Sequence, residues 1–179
     1  MQKMKLSFST LGCPDWSLND IISAASDLGY DGIEIRGIAD DIYAPKSPVF
    51  SAKNIEPLKE RLSETRLGIP VFTSGAYIVD NPKIESAEFE VKDYVFLASR
   101  MKSKYVRIMG EKSPGPVSEN PDVNNLIERV AALCKFATAF GIQLLIETNG
   151  FLANSKVMNA FIGKVNHPSL GVLWDVNHT

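Results

Sequence analysis

Two acidic residues close apolar runs late in the chain. Glu147 ends Gln143-Leu144-Leu145-Ile146-Glu147, and Asp175 ends Gly171-Val172-Leu173-Trp174-Asp175, with Asn177 and His178 just beyond. Acidic side chains are disfavoured in strands and in cores, so carboxylates at the ends of such runs ask for a reason. If the two runs are neighbouring parallel strands, about 4.8 Å apart, Glu147, Asp175 and His178 can converge on one point. Two carboxylates and an imidazole suit a divalent metal such as Mn²⁺, Zn²⁺ or Mg²⁺. The plainer alternative is that each carboxylate caps the loop after its strand.

Other residues could serve the same centre. Glu34 and Arg36, at the end of the second strand run, could touch a polar substrate, although strand alternation is expected to turn one of them toward the helices. Arg107, in the fourth run, could bind a phosphate or a hydroxyl. Trp16, in the loop after the first run, could wall the apolar side of a substrate pocket or could simply pack its loop. His167 precedes Pro168 and is expected in a surface turn. Cys13 has no base partner in the sequence pattern, which argues against a nucleophile.

The elements that position these residues are short strand runs alternating with longer helical patterns. The runs are Lys5–Thr10, Gly32–Arg36, Ile69–Thr73, Tyr105–Met109, Gln143–Glu147 and Gly171–Asp175. Apolar residues at nearly every position suggest strands covered on both faces, as in parallel sheets. The clearest helix is expected from Asp122 to Phe140, where Leu126, Val130, Leu133, Ala137 and Phe140 form one stripe. Asn120-Pro121 would serve as its cap and first turn. Another helix, Leu18–Leu28, follows Ser17 with Asp20 three residues on, a capping-box pattern. Leu28-Gly29, Leu67-Gly68 and Phe140-Gly141 each suggest a helix stopped by a left-handed glycine.

Strand–helix alternation at this regularity means a parallel α/β sheet. The first turn, Leu11-Gly12-Cys13-Pro14, lacks the glycine pattern of a dinucleotide-binding fold, and no Walker-type phosphate loop occurs. Ionisable residues at the ends of several different strands are instead the signature of a (β/α)₈ barrel, whose active site forms at that face. Lys+Arg total 19 against 21 Asp+Glu in 179 residues, a net charge of −2, which gives no electrostatic reason to expect nucleic acid or an anionic membrane. No apolar run is long enough to span a bilayer, the N-terminus lacks a secretory core, and two cysteines are too few for a disulfide framework. A cytoplasmic protein is the expectation.

The chain resembles the xylose isomerase-like TIM barrels, which include sugar and sugar-phosphate isomerases and epimerases, related dehydratases, and endonuclease IV-type apurinic endonucleases. The resemblance rests on Leu6-Ser7-Phe8-Ser9-Thr10, Leu28-Gly29-Tyr30-Asp31-Gly32-Ile33-Glu34-Ile35-Arg36, Leu145-Ile146-Glu147-Thr148-Asn149 and Asp175-x-x-His178, in order along the chain. It implies that Glu147 and Asp175 bind a divalent metal and that His178 contacts substrate or a second metal. It implies further that Glu147 is one of two acid/base carboxylates, and that the reaction moves a proton next to a sugar carbonyl through a metal-stabilised enediolate. Family members complete the site with a histidine from strand seven and a glutamate from strand eight.

Six strand runs occupy this chain, so a single, C-terminally truncated barrel domain over residues 1–179 is expected, with its first and sixth strands open and prone to pair copies of the chain. The implied function is a metal-dependent sugar or sugar-phosphate isomerase or epimerase acting on a sugar or polyol. An inosose-dehydratase-like lyase and a non-catalytic barrel remnant are the alternatives. An apurinic endonuclease is disfavoured by the presence of just two histidines and by the charge.

Overall fold

A computed structural model of the chain describes residues 4–79, 83–112 and 122–179. Among the described residues six strands alternate with five helices: β1 Ser7–Ser9, α1 Leu18–Asp27, β2 Gly32–Glu34, α2 Ala52–Glu64, β3 Val71–Tyr77, α3 Ile84–Arg100, β4 Tyr105–Met109, α4 Val123–Thr138, β5 Gln143–Glu147, α5 Ser155–Val165 and β6 Leu170–Leu173. The pairs β1–β2, β4–β5 and β5–β6 are parallel. The residues cluster into two compact units, Met1–Thr73 with Leu97–Lys104, and Ser74–Phe96 with Tyr105–Thr179.

In the first unit β1 pairs with β2, Phe8 opposite Ile33. The sheet continues where the Ile33 and Ile35 N–H groups donate to the Gly68 and Val71 carbonyls. Gly32 must be glycine, since a Cβ there would lie 2.8 Å from the Gly68 carbonyl oxygen. Ile33 and Ile35 are fully buried, whereas Glu34 and Arg36 are half-buried. The expectation that one of these polar residues turns to the helices is therefore corrected: positions two apart on a strand share a face. Helix α1 begins as expected, with the Ser17 hydroxyl accepting from Asp20 N–H and donating to the Asp20 carboxylate at 2.6 Å.

In the second unit the strand order is β3-β4-β5-β6. Tyr105 pairs with Gln143, and Glu147 with Leu173, so β4, β5 and β6 run in register toward one end. Strands β4 and β5 match their predicted limits. Val106, Ile108, Leu144 and Ile146 are fully buried while Arg107 and Leu145 are half-buried. Burial thus alternates more than the apolar composition suggested, because one side is packed under helices such as α4. That helix buries Leu126, Val130, Leu133, Cys134 and Ala137 and is capped by Asp122, whose side chain accepts from Asn125 N–H. The expected cap at Asn120-Pro121 lies outside the described residues.

Helix ends follow the anticipated rule with different residues. Gly29 and Gly141 adopt positive φ, at 73° and 69°. After α2 the left-handed position is taken by Arg66, φ 58°, and Gly68 is instead part of the sheet edge. Lys102 and Asn166 end α3 and α5 in the same conformation.

Among the described residues β6 has one ladder neighbour, β5, and beside it Val172, Trp174 and Val176 are exposed. No helix among the described residues is long and apolar enough to cross a membrane.

Candidate metal and acid–base site

The second unit gathers Glu147, Asp175 and His178 at the ends of β5 and β6. One ligand-capable atom from each lies within 4.8 Å of the others. The geometry begins with Thr148. Its N–H continues the ladder to the Leu173 carbonyl, after which the backbone ladder ends and its side chain takes over. The Thr148 hydroxyl accepts from Asp175 N–H at 2.8 Å and donates to the Asp175 carbonyl at 3.3 Å. Asp175 therefore stands two residues past β6 rather than within it, a correction to the expected strand end. The Thr148 carbonyl also accepts from His178 Nδ1 at 3.1 Å. A carbonyl only accepts, so Nδ1 carries the proton in this arrangement.

Each carboxylate has one oxygen engaged and one turned to the cluster. Glu147 Oε2 is 2.9 Å from Arg107 Nε, and Asp175 Oδ1 accepts from Asn177 N–H at 2.8 Å in its own turn. Glu147 Oε1 and Asp175 Oδ2 each lie 3.7 Å from His178 Nδ1. With Nδ1 given to the Thr148 carbonyl, the imidazole can ligate only through Nε2, and the two carboxylate oxygens facing the cluster are the hard donors that a divalent cation takes. Glu147 is 8% exposed, and the desolvation of a buried carboxylate is offset here by the guanidinium.

Arg107, anticipated as a contact for substrate, is committed to Glu147, and its Nη1 also donates to the Ser74 carbonyl at 2.9 Å. Ser74 returns the contact, its hydroxyl donating to the Arg107 carbonyl at 2.7 Å. Glu34 and Trp16 belong to the other unit. Glu34 accepts from the Thr73 hydroxyl, and Trp16 lines a hollow of about 560 Å³ with Phe8, Leu11, Cys13, Leu28 and Tyr30. Cys13 is buried, which pushes its thiol pKa up and away from nucleophilic use. His167 accepts from Ser169 N–H in its turn.

The sequence reading missed Glu111. This buried carboxylate, two residues past β4, accepts from Phe151 N–H at 3.2 Å. Asn149 clamps the same residue, its amide donating to the Glu111 carbonyl at 2.8 Å while its Oδ1 accepts from Glu111 N–H at 3.3 Å. Between them Gly150 holds φ 56°, and a Cβ there would overlap the Glu111 carboxylate. The available signal was an acidic residue just past a strand end, the pattern that singled out Glu147.

A parallel α/β fold with carboxylates grouped at strand ends is the arrangement found in TIM-barrel proteins. The chain belongs to the xylose isomerase-like TIM barrel family, whose sequence pattern matches residues 22–179. It is 26% identical to the fructoselysine 3-epimerase of Shigella flexneri over 162 residues, covering 88% of this chain and 58% of that protein. AsbF of Bacillus anthracis, a probable 3-DHS dehydratase, superposes with a TM-score of 0.78 at 21% identity, over 98% of this chain and 64% of AsbF. IOLI protein with a bound zinc atom has the same TM-score at 16% identity, over 98% of this chain and 64% of its own. The chain thus spans about six-tenths of the length of the proteins it matches.

Proposed function

We propose that this chain is the larger part of one barrel domain of an enzyme that isomerises or epimerises a sugar or sugar phosphate by moving a proton next to its carbonyl. The observation that carries the reading is the pairing of one uncommitted oxygen from Glu147 with one from Asp175 around His178. Glu147 and Asp175 would hold a divalent metal, with His178 beside it as a further ligand or as a contact to a substrate hydroxyl. Such an ion, when bound, supplies Lewis-acid polarisation of the substrate oxygens.

The chain's own groups then do the following. The Glu147 carboxylate takes a proton from the carbon beside the carbonyl. The electron pair of the broken C–H bond shifts into the carbonyl, and a returning proton on carbon completes the exchange. Return to the same face regenerates substrate; epimerisation needs a second acid/base group on the opposite face, which the family resemblance assigns to strand eight. Positioned acid/base groups of this kind contribute typically about 10²–10⁴-fold in rate. Thr148 fixes Asp175 and the His178 ring through three hydrogen bonds, so the donors are organised before substrate arrives.

The similarity to AsbF supports a second reading, a dehydratase that begins with the same proton removal and then expels a hydroxyl group. A cytoplasmic location goes with either reading. The exposed Val172, Trp174 and Val176 supply the surface through which copies of the chain would pair.

The experiment is proton exchange. The protein is incubated with Mn²⁺ in deuterated water with a panel of ketoses, ketose phosphates and fructosamine-type sugars, and followed by proton NMR. Loss of the signal beside the carbonyl, abolished in Glu147→Gln, supports the reading; a new alkene signal moves it to the dehydratase. Absence of exchange with every compound, in folded protein that binds Mn²⁺, overturns both.

A further inference from the structure

We infer that Arg107 is a positioning residue that makes Glu147 a one-oxygen ligand, rather than a contact for substrate. The inference rests on the metal-site reading of Glu147, Asp175 and His178. Three observations carry it. The Arg107 side chain is 11% exposed and that of Glu147 is 10% exposed, so the pair is largely withdrawn from solvent. Arg107 Nε meets Glu147 Oε2 at 2.9 Å, while Nη1 of the same guanidinium is anchored on the Ser74 carbonyl at 2.9 Å. Glu147 Oε1, the remaining oxygen, is the one that faces His178.

The planar guanidinium therefore bridges a fixed point on β3 and a reactive carboxylate on β5. Its position on β4 is itself secured by the reciprocal bond from the Ser74 hydroxyl to the Arg107 carbonyl. With Oε2 held, the carboxylate cannot rotate to offer both oxygens to a cation, and it presents Oε1 at a set angle. A lysine would keep the charge, but it cannot make both contacts with one rigid plane. Asp175 is restricted in the same sense by its own backbone turn, through Asn177 N–H on Oδ1.

Charge and orientation predict opposite signs, which makes the assignment testable. A positive group this close repels a second cation, so if charge were its whole effect, removal would tighten metal binding. If orientation is its function, removal weakens metal binding despite the lost repulsion, by roughly tenfold, as for other groups that orient metal ligands. Mn²⁺ alone is titrated into wild type, Arg107→Gln and Arg107→Lys and followed by electron paramagnetic resonance, with thermal unfolding recorded on each. The inference expects both variants to bind Mn²⁺ about tenfold more weakly, with Lys failing to restore wild-type affinity. Tighter binding in Arg107→Gln, or affinity unchanged in Arg107→Lys, overturns it and leaves the metal site intact. If Arg107→Gln does not fold, Arg107→Lys alone decides. Absence of Mn²⁺ binding by the wild-type chain overturns the metal-site reading and this inference with it.

Discussion

The two units solve the same local problem in the same way and put the result to different use. In each, a threonine one residue past a strand lends its hydroxyl to the segment following the neighbouring strand, where the backbone ladder stops. Thr10 Oγ1 accepts from Arg36 N–H at 3.0 Å, and Thr148 Oγ1 accepts from Asp175 N–H at 2.8 Å. In each, an acidic residue closes the strand beside that junction: Glu34 in β2 and Glu147 in β5. The first carboxylate is taken by the Thr73 hydroxyl within its own unit. The second faces another carboxylate and an imidazole, with a guanidinium behind it. A strand-end acid is thus a structural tie when a neutral donor satisfies it, and a candidate for chemistry when acids converge.

The largest expected effect sharpens this contrast. Glu147→Gln should lower proton exchange by about 10²-fold or more, whereas Glu34→Gln should change it far less, since glutamine still accepts from Thr73. Exchange rates under matched Mn²⁺ and substrate check the pair; equal losses would erase the distinction between the units. Next comes Gly150→Ala, which combines a left-handed backbone with displacement of the Glu111 carboxylate from Phe151 N–H. It should destabilise the protein by about 2–3 kcal/mol in a denaturant titration. A smaller loss, about 1–2 kcal/mol, is expected for Thr148→Val, which leaves Asp175 N–H without its acceptor. That variant should also weaken Mn²⁺ binding, which a purely structural tie would not do.

The smallest effect concerns pH. Burial pushes the Cys134 thiol from 9.0 up to about 12. Its pKa is raised by folding, so its contribution to stability is fully present below pH 9.0 and is lost progressively as pH rises toward about 12. Native protein should accordingly resist alkylation at Cys134 at pH 8, followed by peptide mass spectrometry, and Cys134→Ser should reduce the stability loss above pH 9.

Much of this arrangement was legible in the sequence. The apolar runs of β4 and β5, the stripe on α4 and the Ser17 cap depend on neighbours a few residues away, and they were placed closely. So was the grouping of Glu147, Asp175 and His178, because parallel pairing brings equivalent strand ends together. The rest depends on side-chain choices between segments far apart. Nothing local says that Arg107 turns onto Glu147, 40 residues later, rather than toward a substrate. Glu111 carries the same strand-end signal as Glu147, but the Phe151 N–H that reaches it sits in the loop after β5, and loop geometry leaves no periodic trace. The limits of β3 and β6 shifted for a related reason: strand ends are set by which neighbour supplies the next hydrogen bond. At β6 that neighbour is a hydroxyl.

The central claim is that Glu147 and Asp175 share one cation. Calorimetric titration of Mn²⁺ into the wild-type chain, Asp175→Asn and Glu34→Gln tests it most directly. One ion per wild-type chain, the same affinity in Glu34→Gln, and loss of about tenfold or more in Asp175→Asn are expected. Asp175→Asn binding Mn²⁺ as the wild type does, or a wild-type chain that binds none, would contradict it.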